Sequence, residues 1–336
     1  MKNTGKFVLA CSVVLALAVP GIAHHSAAAF NTQEDVTVTG TVLVYSFRNP
    51  HVYMTLEVEG DDGSTVEMEV EAGAASVLSP LGFTRDSVSF GDVVTIAGNP
   101  GRRNPETLML GREMFKEDGT YIPLNISSRS IYEPSEESAT SIAGTWFSPR
   151  TSFFAFLGGA RNWSATELGQ EAMNNANPME TPQKDCIPIA APGLMFYPVA
   201  NTISVEDDRV VMLVDWMDSE RVVYLDGRDH PPASETSLHG HSVGEWDGDT
   251  LVVDTTNYSA HLMGLSTSLP GSTQKHLTER LSVSADGKSM VYSGVMEDPE
   301  YLLEPVEWTG DWLYRPDMPH SNEQCDVGVA RRFLDD

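Results

Sequence analysis

The chain has 336 residues, 41% of them hydrophobic, and a formal charge of −27 at neutral pH. Such a length fills two medium cores more readily than one, so two domains are expected. The acidic balance repels phosphate backbones and anionic lipid, which removes nucleic acid as a partner and leaves a small-molecule or metal ligand, with any protein partner unspecified.

Lys2 and Lys6 precede an apolar run from Phe7 to Val19, and Pro20-Gly21-Ile22-Ala23 follows with small residues where a signal peptidase reads. Residues 1–23 are therefore expected to be a secretory leader, and the mature protein to be periplasmic or secreted. The run is shorter than the roughly twenty residues a membrane-spanning helix needs, so no transmembrane segment is expected. Loss of Lys2 and Lys6 takes the charge to −29. A cut after Ala28 also satisfies the small-residue rule. Cys11 would leave with the leader, and the remaining Cys186 and Cys325 are expected to pair as a disulfide in an oxidising compartment.

From Val36 to Phe47 apolar and polar residues alternate, and the same period returns from His51 to Glu59 and, past Asp61-Asp62-Gly63-Ser64, from Thr65 to Glu71. That pattern is a β-meander. A short helical stretch spans Ala74 to Leu81, followed by strands at Val93 to Ala97 and Thr107 to Phe115. Three strands, a helix and two strands is the order of a five-stranded OB-like barrel, expected over residues 24–131.

Tyr132 to Ser141 is polar, acidic and proline-bearing, and is expected to be a linker. From 142 to 336 a second, antiparallel β domain is expected, either a barrel or a sandwich. Its strands are Thr202 to Glu206, Arg209 to Trp216, Arg221 to Leu225, Ser242 to Trp246, Leu251 to Thr256, Leu281 to Ser284 and Met290 to Met296. Asp-Gly pairs at 226, 247 and 286 supply tight turns between them. Glu167 to Asn174 is the one helix of note. Gly144-Thr145-Trp146 carries the Gly-x-Trp that opens lipocalin-like barrels, a weak pattern that a buried core tryptophan explains equally well.

The fold class is thus mainly β. His24-His25-Ser26-Ala27-Ala28-Ala29-Phe30, Asn49-Pro50-His51-Val52 and Gly82-Phe83-Thr84-Arg85-Asp86-Ser87 give the first half a resemblance to a secreted domain family of unknown function, DUF6152. The second half, with Asp226-Gly227-Arg228-Asp229-His230-Pro231, the run from His241 to Thr255 and His276-Leu277-Thr278-Glu279-Arg280, resembles another uncharacterised secreted bacterial family. Neither resemblance implies an activity. The opening block here is Ala-rich and lacks the acid that often precedes the aromatic position in relatives, so no ligand role for that acid carries over.

Two constellations could carry chemistry. Cleavage after Ala23 would make His24 the first residue, whose amine and imidazole can close a chelate ring, with His25 or His51 as a further nitrogen. Copper(II) favours that tetragonal set. The alternative is a solvated terminus with His51 a hydrogen-bonded turn residue. The second constellation is Asp229, His230, His239, His241 and Glu245, in which the i, i+2 spacing of His239 and His241 would place both rings on one strand face for a divalent ion. His276, at a strand entrance, is a weaker candidate. Arg228-Asp229 and Glu279-Arg280 read equally well as structural ion pairs. The functional expectation is an exported ligand-binding protein of open specificity, with copper or another divalent metal held through the mature N-terminal histidine as its most concrete form. The alternatives are a metal-assisted hydrolase or lyase working in the second domain and a non-catalytic envelope interaction module. No serine-nucleophile elbow or phosphate loop is present.

Overall fold

The computed structural model describes residues 29–60, 63–125, 135–177, 180–318, 320–321 and 323–332. Alternating valine and threonine from position 36 set one side of the backbone against a core and the other in water. β1 (Val36–Ser46), β2 (Tyr53–Glu59) and β3 (Thr65–Glu71) accordingly form an antiparallel meander. One turn of helix, α1 (Ala75–Leu78), runs on to Leu81 and stops at Gly82, whose φ of 86° needs a residue without a Cβ. β4 (Val93–Pro100) returns beside β1 and pairs with β5 (Leu108–Lys116). β5 then lies parallel to β3, which closes the five strands into a barrel of OB order. A short strand that the sequence did not reveal, β6 (Tyr121–Pro123), pairs with β5 from Glu113 onward, where β3 no longer reaches. Val42, Leu56, Val70, Leu78, Ile96, Met109 and Met114 fill this barrel.

The second body is a closed ring of nine strands, not a sandwich. In chain order these are β7 (Gly144–Phe147), β8 (Ala200–Val205), β9 (Arg209–Val214), β10 (Ser219–Tyr224), β11 (His241–Asp247), β12 (Thr250–Thr256), β13 (His276–Val283), β14 (Ser289–Glu297) and β15 (Val306–Tyr314). Asp247-Gly248-Asp249 and Asp286-Gly287 make the expected hairpins, with φ of 63° and 69° at the glycines. Asp226-Gly227 does not. Gly227 has the positive φ expected, 74°, but the chain then leaves the sheet for residues 225–240 and re-enters alongside β10, so β10 and β11 are parallel. The sheet is therefore antiparallel except at that one seam.

The sequence reading did not assign β7 beyond its Gly-x-Trp motif, nor β15, although Val306, Trp308 and Trp312 alternate there with Glu307, Thr309 and Asp311, and it gave no signal for the helix α2 (Arg150–Gly159). β7 is four residues long, and α2 is rich in phenylalanine and glycine, which are poor helix formers. Tertiary packing holds α2: Phe156 stacks on Phe196 at 4.6 Å, inside the barrel core. α3 (Glu167–Asn175) forms as expected, capped by the Thr166 hydroxyl, which accepts from the Gly169 amide. Trp146 of the Gly-x-Trp motif is fully buried, donates its indole N–H to the Ile142 carbonyl at 2.8 Å and packs against Tyr314.

Of the expected linker, residues 135–141 lie along the second barrel, where the Ser135 amide donates to Tyr314 and the Ala139 amide to Gly287; residues 132–134 fall outside the described set. The C-terminal segment with α4 (Val327–Arg331) belongs to both bodies. Cys325 is bonded to Cys186 in the second, while Asn49 of the first donates its carboxamide to Glu323 O at 2.7 Å and accepts the Asp326 amide. Arg48 pairs with Asp326 and Arg85 with Glu323 across the same junction, and Arg332 covers the Tyr53 ring. Ala74, at the start of α1, is counted among the core residues of the second barrel, so the two bodies are packed together.

Candidate functional site on the outer rim of the second barrel

Strand alternation sorts the side chains of β11 to β14 into two sets. Ser242, Thr255, Glu279 and Tyr292 point into the barrel and are buried, while His241, Asp254, His276 and Glu297 point out. Register then gathers the outward set. His276 lies directly opposite Glu297, and Asp254 sits one diagonal step from His241 on one side and from His276 on the other. The 225–240 excursion lays His230 over them.

The contacts form a continuous chain. His230 Nδ1 is 3.0 Å from His241 Nδ1, and His230 Nε2 donates to Asp254 Oδ1 at 2.8 Å. His276 Nε2 donates to the other oxygen, Oδ2, at 2.6 Å, and its Nδ1 lies 3.4 Å from Glu297 Oε2. Asp254 is 42% exposed, so the cluster is open to solvent. His241 stacks on Tyr224, over which Arg228 lies at 3.7 Å; Arg228 is held in turn by Asp226. Partial burial, the neighbouring His230 and then Arg228 push the His241 pKa below its ordinary value.

His239 does not share a face with His241. Gly240 takes φ 70°, and a Cβ there would sit 2.5 Å from the Thr256 carbonyl oxygen, so the chain turns at 240 and β11 begins only at His241. The i, i+2 rule holds within a strand and fails across that turn. His239 faces inward instead: its Nδ1 is buried without a hydrogen-bond partner, and burial, then the charges of Arg221 and Lys275, push its pKa down to about 4. Asp229 and Glu245 are exposed and take no part in the cluster. Nor do the adjacent-residue ion pairs form. Arg228 turns to Asp226, Arg280 to Asp247 and Glu279 to Arg221.

His24 and His25 lie outside the described residues. His51, just ahead of β2, has Nδ1 at 3.2 Å from the Ala72 carbonyl oxygen and 3.3 Å from Glu71 Oε1, and Glu71 also accepts from Tyr53 at 3.0 Å. Among the described residues no three His, Cys, Asp or Glu side chains are placed to share one metal ion. Sequence reading held His230 and His241, and His276 as a weaker candidate, but singled out neither Asp254 nor Glu297, which the β11–β14 register brings to the histidines.

Behind the rim the inward set builds an ionic core. Arg221 forms a two-pronged pair with Glu279 at 2.9 and 2.6 Å, both side chains 1% exposed, and Tyr292 donates to the same carboxylate at 2.6 Å. Burial raises the Glu279 pKa, but Arg221 and the hydrogen bonds outweigh it and the carboxyl ends below its ordinary value. Lys275 is buried too, donating to Gly264 O at 2.5 Å and to Ala191 O, with its ammonium 4.3 Å over the Tyr258 ring; burial and Arg221 push it down to about 7.

Fold and rim together define a two-barrel protein: an OB-like barrel docked on a nine-stranded closed barrel that carries a partly exposed histidine and carboxylate cluster. Residues 12–109 match the model of a family of unknown function, DUF6152, so the resemblance of the N-terminal region to that family is real, and the match ends before the second barrel begins. No curated protein matches the chain. Among the described residues no helix is long and apolar enough to cross a membrane.

Proposed function

We propose that this is an exported binding protein that takes a divalent transition metal, zinc or copper, between His230 and His241. The supporting observation is the 3.0 Å separation of the two Nδ1 atoms. Two imidazoles bonded at about 2.0–2.1 Å to a tetrahedral ion have nitrogens roughly 3.3 Å apart, so a shift of a few tenths of an ångström admits the ion. His230 also donates its other ring nitrogen to Asp254, the carboxylate support that ligating histidines use to fix tautomer and orientation. Water or a ligand would complete the coordination, which makes the site exchangeable rather than structural. The disulfide is in keeping with an oxidising compartment. His230 and His241 meet but His239 does not join them, so the three do not form the shared pocket that a hydrolase or lyase would use there.

Competition of the metal-stripped protein against a chromophoric chelator is expected to show one zinc or copper equivalent bound. His241→Ala should abolish it, and Asp254→Asn should weaken it about 10- to 100-fold, while His239→Ala leaves it unchanged. Unaltered binding in His241→Ala would refute the assignment.

A second reading places copper at the mature terminus. His51 supports it: with Nδ1 directed at Ala72 O and Glu71, its Nε2 carries the lone pair that a metal needs. The mass of the exported chain should then correspond to a first residue of His24, and copper(II) should bind with loss in His24→Ala. A chain starting at Ala29 ends this reading.

A further inference from the structure

The motifs that give the first barrel its family resemblance take no part in the rim site. Asn49 of Asn-Pro-His-Val and Arg85 of Gly-Phe-Thr-Arg-Asp-Ser instead grip the C-terminal strap, residues 323–326. Both lie within the matched block 12–109, whereas the strap comes from the far end of the chain. The family domain therefore supplies the grip by itself.

That grip reads main chain and charge. The strap runs parallel to the loop between β1 and β2, bridged at Asn49 and Cys325. The Asn49 carbonyl accepts the Asp326 amide at 2.9 Å, and its side-chain Nδ2 donates to Glu323 O at 2.7 Å. The carboxamide is aimed from inside the first barrel: Asn49 is 1% exposed, and its Oδ1 accepts both the amide and the hydroxyl of Ser76 in α1. Its donor edge is thus held toward the groove by Ser76, and not by the segment it meets. An arginine stands on either side. Arg48 pairs with Asp326 at 2.7 Å and Arg85 with Glu323 at 2.5 Å, Arg85 donating also to Phe47 O. In a chain of 21 basic and 48 acidic side chains, two arginines whose counter-charges come only from the strap mark the groove for an anionic occupant. Farther along, Arg332 covers the Tyr53 ring of β2 and pairs with Glu69 of β3. The C-terminal segment therefore lies over the loop and the two strands through which barrels of OB order commonly bind.

We propose that this groove of the first barrel is a peptide-binding site for an extended segment with carboxylates three residues apart, and that the chain's own strap is its resident occupant. The partner it fits is a protein that presents such a segment and displaces the strap. Main-chain pairing supplies affinity that is indifferent to sequence, and the two arginines supply the selection. Metal at the rim plays no part in it.

The test opens the groove in the full mature chain. Cys186→Ser with Cys325→Ser cuts the tether, and Glu323→Lys with Asp326→Lys turns the strap's charges against Arg85 and Arg48. The probe is a fluorescein-labelled peptide of residues 323–332 with serine at 325, read by anisotropy at low salt. Saturable binding to the opened protein is expected. The parent should bind at least tenfold more weakly, because its own strap competes at an effective concentration on the order of millimolar. Arg48→Ala with Arg85→Ala in the opened protein should weaken the peptide about tenfold, the combined loss of two partly screened ion pairs. A peptide carrying Glu323→Gln and Asp326→Asn should lose as much and be indifferent to the arginine changes. Slow amide exchange in β1 to β5 checks that the barrel stays folded. The second protein has only the two serine substitutions, so that its native strap is merely untethered, and it should bind with intermediate affinity. Absence of binding to either protein while β1 to β5 remain protected would overturn the proposal. So would equal affinity in parent and opened chains, which would place the peptide elsewhere, or equal affinity for the charged and neutral peptides.

Discussion

Arg221→Leu is expected to destabilise the second barrel by about 3–5 kcal/mol, the cost of leaving a buried carboxylate without its counter-ion. At roughly 2–4 °C per kcal/mol for a domain of this size, that is a fall of about 10 °C in melting temperature. The reason is geometric. Glu279 is 1% exposed and holds Arg221 through both oxygens, so removal of the guanidinium leaves Tyr292 and Thr255 as its hydrogen-bond partners. The paired change Arg221→Met with Glu279→Leu should recover most of the loss, because it removes both desolvated charges together. The pH dependence has a definite sign. The folded pKa of Glu279 lies below its ordinary value, so its contribution is present above the usual carboxylate range and is lost as pH falls through the folded pKa. Urea unfolding of the three proteins between neutral and acid pH measures both effects. An Arg221→Leu protein that unfolds with the parent would show that the pair is solvated.

Opening the Cys186–Cys325 bond should have a comparable effect, on the order of 4–5 kcal/mol, since 139 residues separate the cysteines and the entropy of the unfolded chain grows with loop length. The loss is expected to be uneven. Cys325 anchors the segment that reaches back to the first barrel through Asn49, Arg48 and Arg85, so Cys325→Ala should loosen the junction before it unfolds either body. Limited proteolysis should cut the Cys325→Ala protein after residue 318 at denaturant concentrations where both barrels still resist. Simultaneous loss of the tail and both barrels would mean that the junction is not a separable unit.

The rim and the inner core differ in how far they could be read from sequence. Period-two alternation from Val36 to Glu71 and again from Thr202 to Met296 located most strands, because a half-buried strand writes its two faces into successive residues. Asp-Gly pairs located two of the three expected hairpins for an equally local reason, the positive φ of glycine. The same rule went astray at Asp226-Gly227, where the turn is present but leads into an excursion, and at His239, where Gly240 breaks the alternation on which the spacing argument stood. α2 was invisible because long-range packing of Phe156 on the Phe196 ring, and not local propensity, holds it, whereas β15 does alternate, with Val306, Trp308 and Trp312 inward and Glu307, Thr309 and Asp311 outward, and was legible by the same rule.

By itself the sequence determined the mainly β character, the OB order of the first barrel, the cysteine pair, and the presence of histidine and carboxylate near 230 to 254, all of which depend on neighbours in the chain. Only tertiary structure decided that the second sheet closes, that its tail is shared by both bodies, that Glu279 looks inward to Arg221 while His276 looks outward to Asp254, and that His239 parts company with His241. Those outcomes follow from strand register and ring closure, and a pairing between residues 58 apart in the chain, as for Arg221 and Glu279, leaves no trace in the local pattern of either segment.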